Sequence, residues 1–261
     1  MGYNGPDMYD RVLITGAAGA IGTVLRPALR EGLRELRLSD VAEIDELHAR
    51  ETFVQADLTD FEAVQRAMDG VSAVIHLGAV PNEAPWDVIA GPNLHGAYHV
   101  FEAARRAGVD RVVYASSNHA TGMYPIGEAL DASSAPWPDG LYGASKVFGE
   151  ALARMYVTRF GMRAVCLRIG SFKAQPEEER ELSTWLSHAD GVRLFQAALS
   201  ADVEFAIVYG GSANTRRWWP ADTQIGFVPQ DDAETFAPLP PSPWTRQGGP
   251  NTDRGHGGWV A

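Results

Sequence analysis

After about ten polar, turn-rich residues the chain runs Arg11-Val12-Leu13-Ile14-Thr15, an apolar stretch that stops at a glycine. A short continuous apolar run bounded by turn residues reads as a strand buried on both faces of a parallel sheet. Similar runs follow at 36–38, 53–55, 73–77 and 111–115, and later at 164–169 and 203–209. Between them lie segments with helical period, at 21–30, 61–68, 93–107 and 142–160. Strand alternating with helix predicts right-handed crossovers and an α/β fold, a Rossmann doubly wound parallel sheet. The alternation fades after Ile169. Residues 171–202 read as a loop leading into one or two helices from about Pro176, and the stretch from about Ala237 is rich in proline and glycine, an irregular surface wrap. The expected division is a dinucleotide-binding part, 1–170 with the strand 203–209 returning to its sheet, and a small substrate-binding and carboxyl-terminal part, 171–261.

Composition narrows the partners. With 261 residues, 45% hydrophobic and 21% charged, the chain has material for a sizeable core. Its net charge of −11 repels phosphate backbones and anionic lipid heads, so neither nucleic acid nor membrane is expected as a partner. The single cysteine, Cys166, excludes an internal disulfide framework and a thiolate metal cluster, and its apolar neighbours make it inert core. No apolar run reaches the roughly 18 residues of a membrane span, and the opening MGYNGPDMYD lacks the regions of a signal peptide. These features lead to the expectation of a cytoplasmic protein without a metal.

The first strand leads directly into Thr15-Gly16-Ala17-Ala18-Gly19-Ala20-Ile21-Gly22 and an amphipathic helix. Glycines there let the chain turn tightly and a diphosphate approach the backbone, while the helix start offers free N–H groups and partial positive charge. Asp40 closes the second strand, where a carboxylate accepts hydrogen bonds from both ribose hydroxyls and repels a 2′-phosphate. No lysine or arginine follows at once to rescue such a phosphate, so NAD is expected rather than NADP. Asp57-Leu58 and Leu77-Gly78 end the next two strands, where ligands lie in such sheets, although Asp57 equally suits a helix cap near Asp60.

Tyr142-Gly143-Ala144-Ser145-Lys146 places a tyrosine and a lysine on one face of a helix start. A phenol with its pKa near 10 becomes a useful base at neutral pH only with roughly 4 kcal/mol of help, for which the lysine ammonium and an oxidised nicotinamide are the expected sources. Ser117 ends the fifth strand, and its hydroxyl is suited to hold an alcohol while Tyr142 removes the proton and hydride leaves for the cofactor.

Glycine turn, Asp40, strand-end serine and Tyr-x-x-x-Lys together resemble the extended short-chain dehydrogenase/reductase family, within the NAD-dependent epimerase/dehydratase superfamily, over essentially the whole chain. The segments Ala115-Ser116-Ser117-Asn118-His119, Gly122-Met123-Tyr124-Pro125, Asp139 through Glu150, Arg168-Ile169-Gly170-Ser171 and Leu182 through His188 resemble the uronate dehydrogenase family in particular, as do Trp218-Trp219 and Gly257-Gly258-Trp259-Val260. That resemblance implies NAD-dependent oxidation of galacturonate or glucuronate at the anomeric carbon, giving an aldarolactone. It implies that Ser117, Asn118 and His119 bond sugar hydroxyls, that Tyr142 is the base, and that Lys146 is its partner and the ribose anchor. It further implies Ile169 at the cofactor, Ser171 beside the substrate, Arg180 on its carboxylate, and a homo-oligomer. Arg180 lies in the run Glu177-Glu178-Glu179-Arg180-Glu181, which by itself reads as solvated helix surface, and Trp218-Trp219 reads more simply as packing for the tail. One position departs: where those enzymes carry a substrate-contacting serine after Leu77-Gly78, this chain has Pro81, with Asn82 as the nearest replacement. A sugar-phosphate dehydrogenase, a nucleotide-sugar epimerase or dehydratase, and a non-catalytic NAD sensor are the other readings. The few residues left after the sheet and its helices favour a monosaccharide over a nucleotide sugar.

Overall fold

The structure, a computed structural model, describes residues 9–221, 223–253 and 255. In chain order it comprises β1 (Arg11–Thr15), α1 (Ala20–Arg30), β2 (Glu35–Asp40), β3 (Glu51–Gln55), α2 (Phe61–Ala67), β4 (Ala73–His76), α3 (Trp86–Ile89), α4 (Gly96–Ala107), β5 (Arg111–Ser117) and α5 (Leu141–Phe160). Then come β6 (Arg163–Ile169), β7 (Ser171–Phe172), α6 (Glu181–Thr184), β8 (Trp185–Leu186), α7 (His188–Ser200) and β9 (Phe205–Gly210). Seven strands form one parallel sheet in the order β3-β2-β1-β4-β5-β6-β9, and β7 pairs with β8 beside it.

The apolar runs are continuous because both sheet faces are covered. Val12 and Ile14 of β1 pack on one side with Leu25 and Leu29 of α1 and Leu194 and Phe195 of α7. Leu13 packs on the other side with Val64 of α2, Val100 and Phe101 of α4, and Tyr156 of α5. The strand order turns back at β1 and β4, which opens a crevice at the carboxyl ends of the strands. This is the Rossmann α/β fold expected from the alternation.

Several boundaries differ from the sequence-based expectation for local reasons. The helix expected over 93–107 is α only from Gly96, and Ala90–His95 forms a π turn around Pro92, which has no N–H for the helical ladder. β5 extends to Ser117, so both serines are strand residues. β9 begins at Phe205 rather than 203, because the Val203 carbonyl accepts from the guanidinium groups of Arg111 and Arg163. No helix starts at Pro176; α6 begins at Glu181, whose carboxylate instead takes the Glu177 N–H at 2.6 Å. The described part of the tail is irregular apart from a 3-10 turn at Gly249–Thr252, yet its Gln247 is 1% exposed and belongs to the interior. No helix among the described residues is long and apolar enough to cross a membrane.

Candidate active site

A cleft of about 1280 Å³ runs along the crevice, from Gly16 and Asp40 at one end to Arg180 and Asn251 at the other. It is lined by every site residue expected from the sequence: Gly16, Gly19, Ala20, Ile21, Gly22, Asp40, Asp57, Leu58, Leu77, Gly78, Ser117, Asn118, His119, Tyr142, Lys146, Ile169, Ser171 and Arg180, together with Pro81 and Asn82.

At the first end, Gly16 turns with φ +72°, and a Cβ on it would run into the backbone of Gly78. Glycine is therefore required on both conformational and spatial grounds. Gly19 caps α1 with no side chain and no acid lies in the first turn, so the opening N–H groups, on residues that line the cleft, have no side-chain cap. Asp40 is held by the N–H groups of Ala18 at 2.9 Å and Ala42 at 3.1 Å, which fixes its carboxylate at the rim. Of the two readings of Asp57, the helix cap is excluded: Asp60 caps α2 by accepting from the Ala63 N–H. Asp57 instead accepts from the N–H and hydroxyl of Thr59, both at 2.8 Å, and these bonds hold its carboxyl below the usual range. The cradle fits a dinucleotide diphosphate and ribose.

In the middle, Tyr142 and Lys146 occupy the first turns of α5, 8% and 4% exposed. Sequence reasoning missed how this helix start is held. The buried Glu83 accepts from the N–H groups of Leu141 at 2.9 Å and Tyr142 at 2.8 Å. Asn93, in the π turn, donates to Ser145 Oγ at 3.0 Å and exchanges two hydrogen bonds with the Val80 backbone. Pro92 within an otherwise helical pattern was the available signal of that deformation. Beneath Ser117, Ser116 donates to Glu150 at 2.6 Å, and Arg168 grips the same carboxylate with two bonds of 2.8 Å. This buried pair stiffens the strand ends that carry the site.

Burial dominates the electrostatics of this pair in the protein alone. Burial pushes the Tyr142 phenol up to about 12, a hydrogen bond to Ser117 lowers it in part, and Asp139 raises it further. Lys146 packs beside the phenol. Its Nζ lies 5.5 Å from the centre of the Tyr142 ring and 5.3 Å from that of Tyr114, and burial depresses its own pKa to about 8. Desolvation of both groups outweighs their attraction within the protein alone.

At the far end, Arg180 contradicts the reading of its acidic run as solvated surface. Its side chain is only 9% exposed, pairs with Glu178 at 3.1 Å and donates to the Gln247 carbonyl at 2.9 Å. Ser171 shares a hydrogen bond with Thr184 at 2.9 Å. His119 Nδ1 lies 2.6 Å from the buried Asp139, and the ring sits edge-on to Tyr142 at 5.6 Å. Asn118 contributes a buried Nδ2 with no protein partner, a donor at the cleft wall. Trp218 and Trp219 pack behind the cleft with Tyr209, and Trp219 Nε1 donates to Gln247 of the tail, so packing is their role. Trp259 and its neighbours lie outside the described residues. Cys166 is buried and its thiol is pushed well up by that burial, as expected of inert core.

Residues 12–219 match the model of the NAD dependent epimerase/dehydratase family. The chain belongs to that family. It is 44% identical to a uronate dehydrogenase of Pseudomonas syringae pv. tomato over 87% of this chain and 84% of that protein. It is 38% identical to an NAD-dependent glucose-6-phosphate dehydrogenase of Haloferax volcanii, over 88% and 96%. Among solved structures, a variant of uronate dehydrogenase from Agrobacterium tumefaciens complexed with NAD superposes with a TM-score of 0.89 at 41% identity, covering 94% of this chain and 97% of that one. Gly248, Pro250 and Asn251 of the tail line the far end of the cleft together with residues 171–181.

Proposed function

We propose that this protein oxidises a uronic acid, galacturonate or glucuronate, at C1 to the aldarolactone, with NAD as hydride acceptor. The observation that carries the reading is one cleft with a dinucleotide cradle at one end, Ser117, Tyr142 and Lys146 in the middle, and the shielded Arg180 at the other. Asp40 takes the adenosine ribose hydroxyls, and Ile169 lines the cofactor side. When bound, NAD supplies the hydride acceptor and the positive nicotinamide charge that favours the phenolate of Tyr142. Ser117 orients the anomeric hydroxyl, Tyr142 takes its proton, and Lys146 anchors the ribose and stabilises the phenolate. Asn118 and His119 bond ring hydroxyls, Ser171 lies beside the sugar, Asn82 stands in for the donor that Pro81 lacks, and Arg180 receives the carboxylate.

The same end of the cleft speaks against a sugar phosphate. Glu177, Glu178 and Glu181 line it together with Lys173 and Arg180, three acids against two bases. A phosphate dianion meets about twice the repulsion that a carboxylate meets there. Lys173 is moreover engaged by Glu177 and Glu181 at 2.6 and 2.8 Å. The reading extends to a cytoplasmic enzyme that pairs as a homo-oligomer through its flanking helices, where Tyr98, Phe148 and Phe160 are exposed on α4 and α5.

The test is turnover on a panel of uronates, neutral sugars and sugar phosphates with NAD and NADP. NADH formation with a uronate and NAD, reduced about 1,000-fold or more in Tyr142→Phe with NADH binding intact, is the expected result. No NADH with either uronate overturns the proposal.

A further inference from the structure

We propose that Asp139 acts through His119: its carboxylate commits the ring proton to Nδ1 and leaves Nε2 as a hydrogen-bond acceptor for one hydroxyl of the sugar. This rests on the uronate reading above.

The contact is short, 2.6 Å from Nδ1 to Oδ2, and the Asp139 side chain is 0% exposed. Its other oxygen, Oδ1, is buried without a partner. The His119 ring is then the hydrogen-bond donor on which this carboxylate depends, and an ionised carboxylate only accepts. Nδ1 must therefore carry a proton. In the neutral ring this leaves the lone pair on Nε2. Among the described residues Nε2 has no protein partner, while the ring lines the cleft and lies edge-on to the catalytic tyrosine.

Asp139 is also boxed in by chain from three places. A Cβ on Gly122, after the turn that carries His119, or on Gly248 in the tail would overlap Oδ2, and one on Gly143 in α5 would lie 3.1 Å from Oδ1. The backbone adds Asp139 N–H to the His119 carbonyl at 3.4 Å, Trp137 N–H to Ala120 at 3.0 Å, and Gly248 N–H to Gly122 at 2.8 Å. The carboxylate has no room to swing away, so the ring is fixed with it. The side-chain amide of Asn251 lies 3.3 Å from the same Nδ1. With that proton already present, the amide oxygen rather than its nitrogen belongs on this side, which leaves the amide N–H groups for other partners.

Two measurements decide the proposal. Ring nitrogen shifts in ¹⁵N-labelled protein, at a pH where the imidazole is neutral and assigned with His119→Gln, should show the Nδ1–H form in the wild type and loss of that preference in Asp139→Asn. A double-mutant cycle should show that Asp139→Asn raises the uronate KM about tenfold with kcat within threefold. In a His119→Ala background the same change should alter the uronate KM less than twofold, with the Kd for NADH unchanged throughout. An Nε2–H ring in the wild type overturns the inference, as does a KM effect of Asp139→Asn that persists without His119. A wild type that oxidises no uronate refutes the substrate reading instead, and the ring tautomer still decides the inference by itself.

Discussion

In the dinucleotide half of the cleft, Gly16, Asp40, Asp57 and Gly78 each stand at or just beyond the carboxyl end of a strand, and each is held by neighbours in the same or the adjacent turn. In the sugar half, Arg180 depends on Gln247, His119 on Asp139, and the start of α5 on Glu83, pairs separated by 67, 20 and 58 positions. The first half is a set of βα turns that any parallel sheet of this order produces. The second is assembled by tertiary closure, with the tail as its last wall. A change in one half should therefore leave binding in the other untouched, and that independence can be tested one residue at a time.

The largest effect on binding is expected at Arg180. Removing a nearly buried cation that binds a carboxylate costs on the order of 1.5–3 kcal/mol, so Arg180→Ala should raise the uronate KM roughly 100-fold. Lysine should not restore it, since it lacks the planar fork. The Kd for NADH, measured by fluorescence, should not move; a parallel loss of cofactor binding would show that the two halves are one cooperative unit. The mirror experiment is Asp40→Ala, which loses the hydrogen bonds to the ribose. It should raise the KM for NAD about 20-fold, narrow the preference over NADP, and leave the uronate KM unchanged.

Gln247 tests the tail itself. Its side chain accepts from Trp219 Nε1 at 2.9 Å and donates to the carbonyls of Pro125 and Glu128. Gln247→Ala leaves a buried indole N–H unsatisfied, a cost of about 1–3 kcal/mol, and loosens the strand of chain that holds Arg180. The expected outcome is a Tm lower by several degrees and a severalfold higher uronate KM with NADH binding unchanged. An unchanged KM would reduce the tail to a structural strap.

The same contrast explains what was legible in the residues. The strand runs, the glycine turn, Asp40, Ser117 and the Tyr142–Lys146 pair declare themselves because their meaning lies in local spacing, a period of two or four residues beside a turn. Glu83, Asn93, Asp139 and Gln247 do not. Each is an ordinary polar residue in a loop, a helix-like segment or a proline-rich tail, and becomes special only when burial removes water and a distant partner arrives. Arg180 shows the limit from the other side. Its acidic neighbours make it look solvated, yet one of them, Glu178, holds it at the cleft wall together with the Gln247 carbonyl. The upward shift of Tyr142 was equally hidden, since desolvation is a property of the folded surroundings and not of the Tyr-x-x-x-Lys spacing.

The remaining test lies at the seam between the halves. His76, at the end of β4, is 2% exposed, shares a 2.8 Å hydrogen bond with Thr15 at the glycine turn, and lies close enough to Lys146 to feel its charge. Burial, with Lys146 adding to it, holds its pKa down to about 3. A histidine near 6.5 when unfolded and near 3 when folded binds more protons in the unfolded chain between those values, so stability rises with pH across that window and falls as pH drops from 6.5 toward 3. Between pH 7 and pH 5 the loss is on the order of 2 kcal/mol. Urea unfolding at the two pH values, wild type against His76→Asn, should show that difference in the wild type and most of it gone in the variant. Equal losses in both proteins would mean that the ring is not held neutral by the fold, and that the lysine beside the catalytic tyrosine shares its pocket with a second proton-binding group.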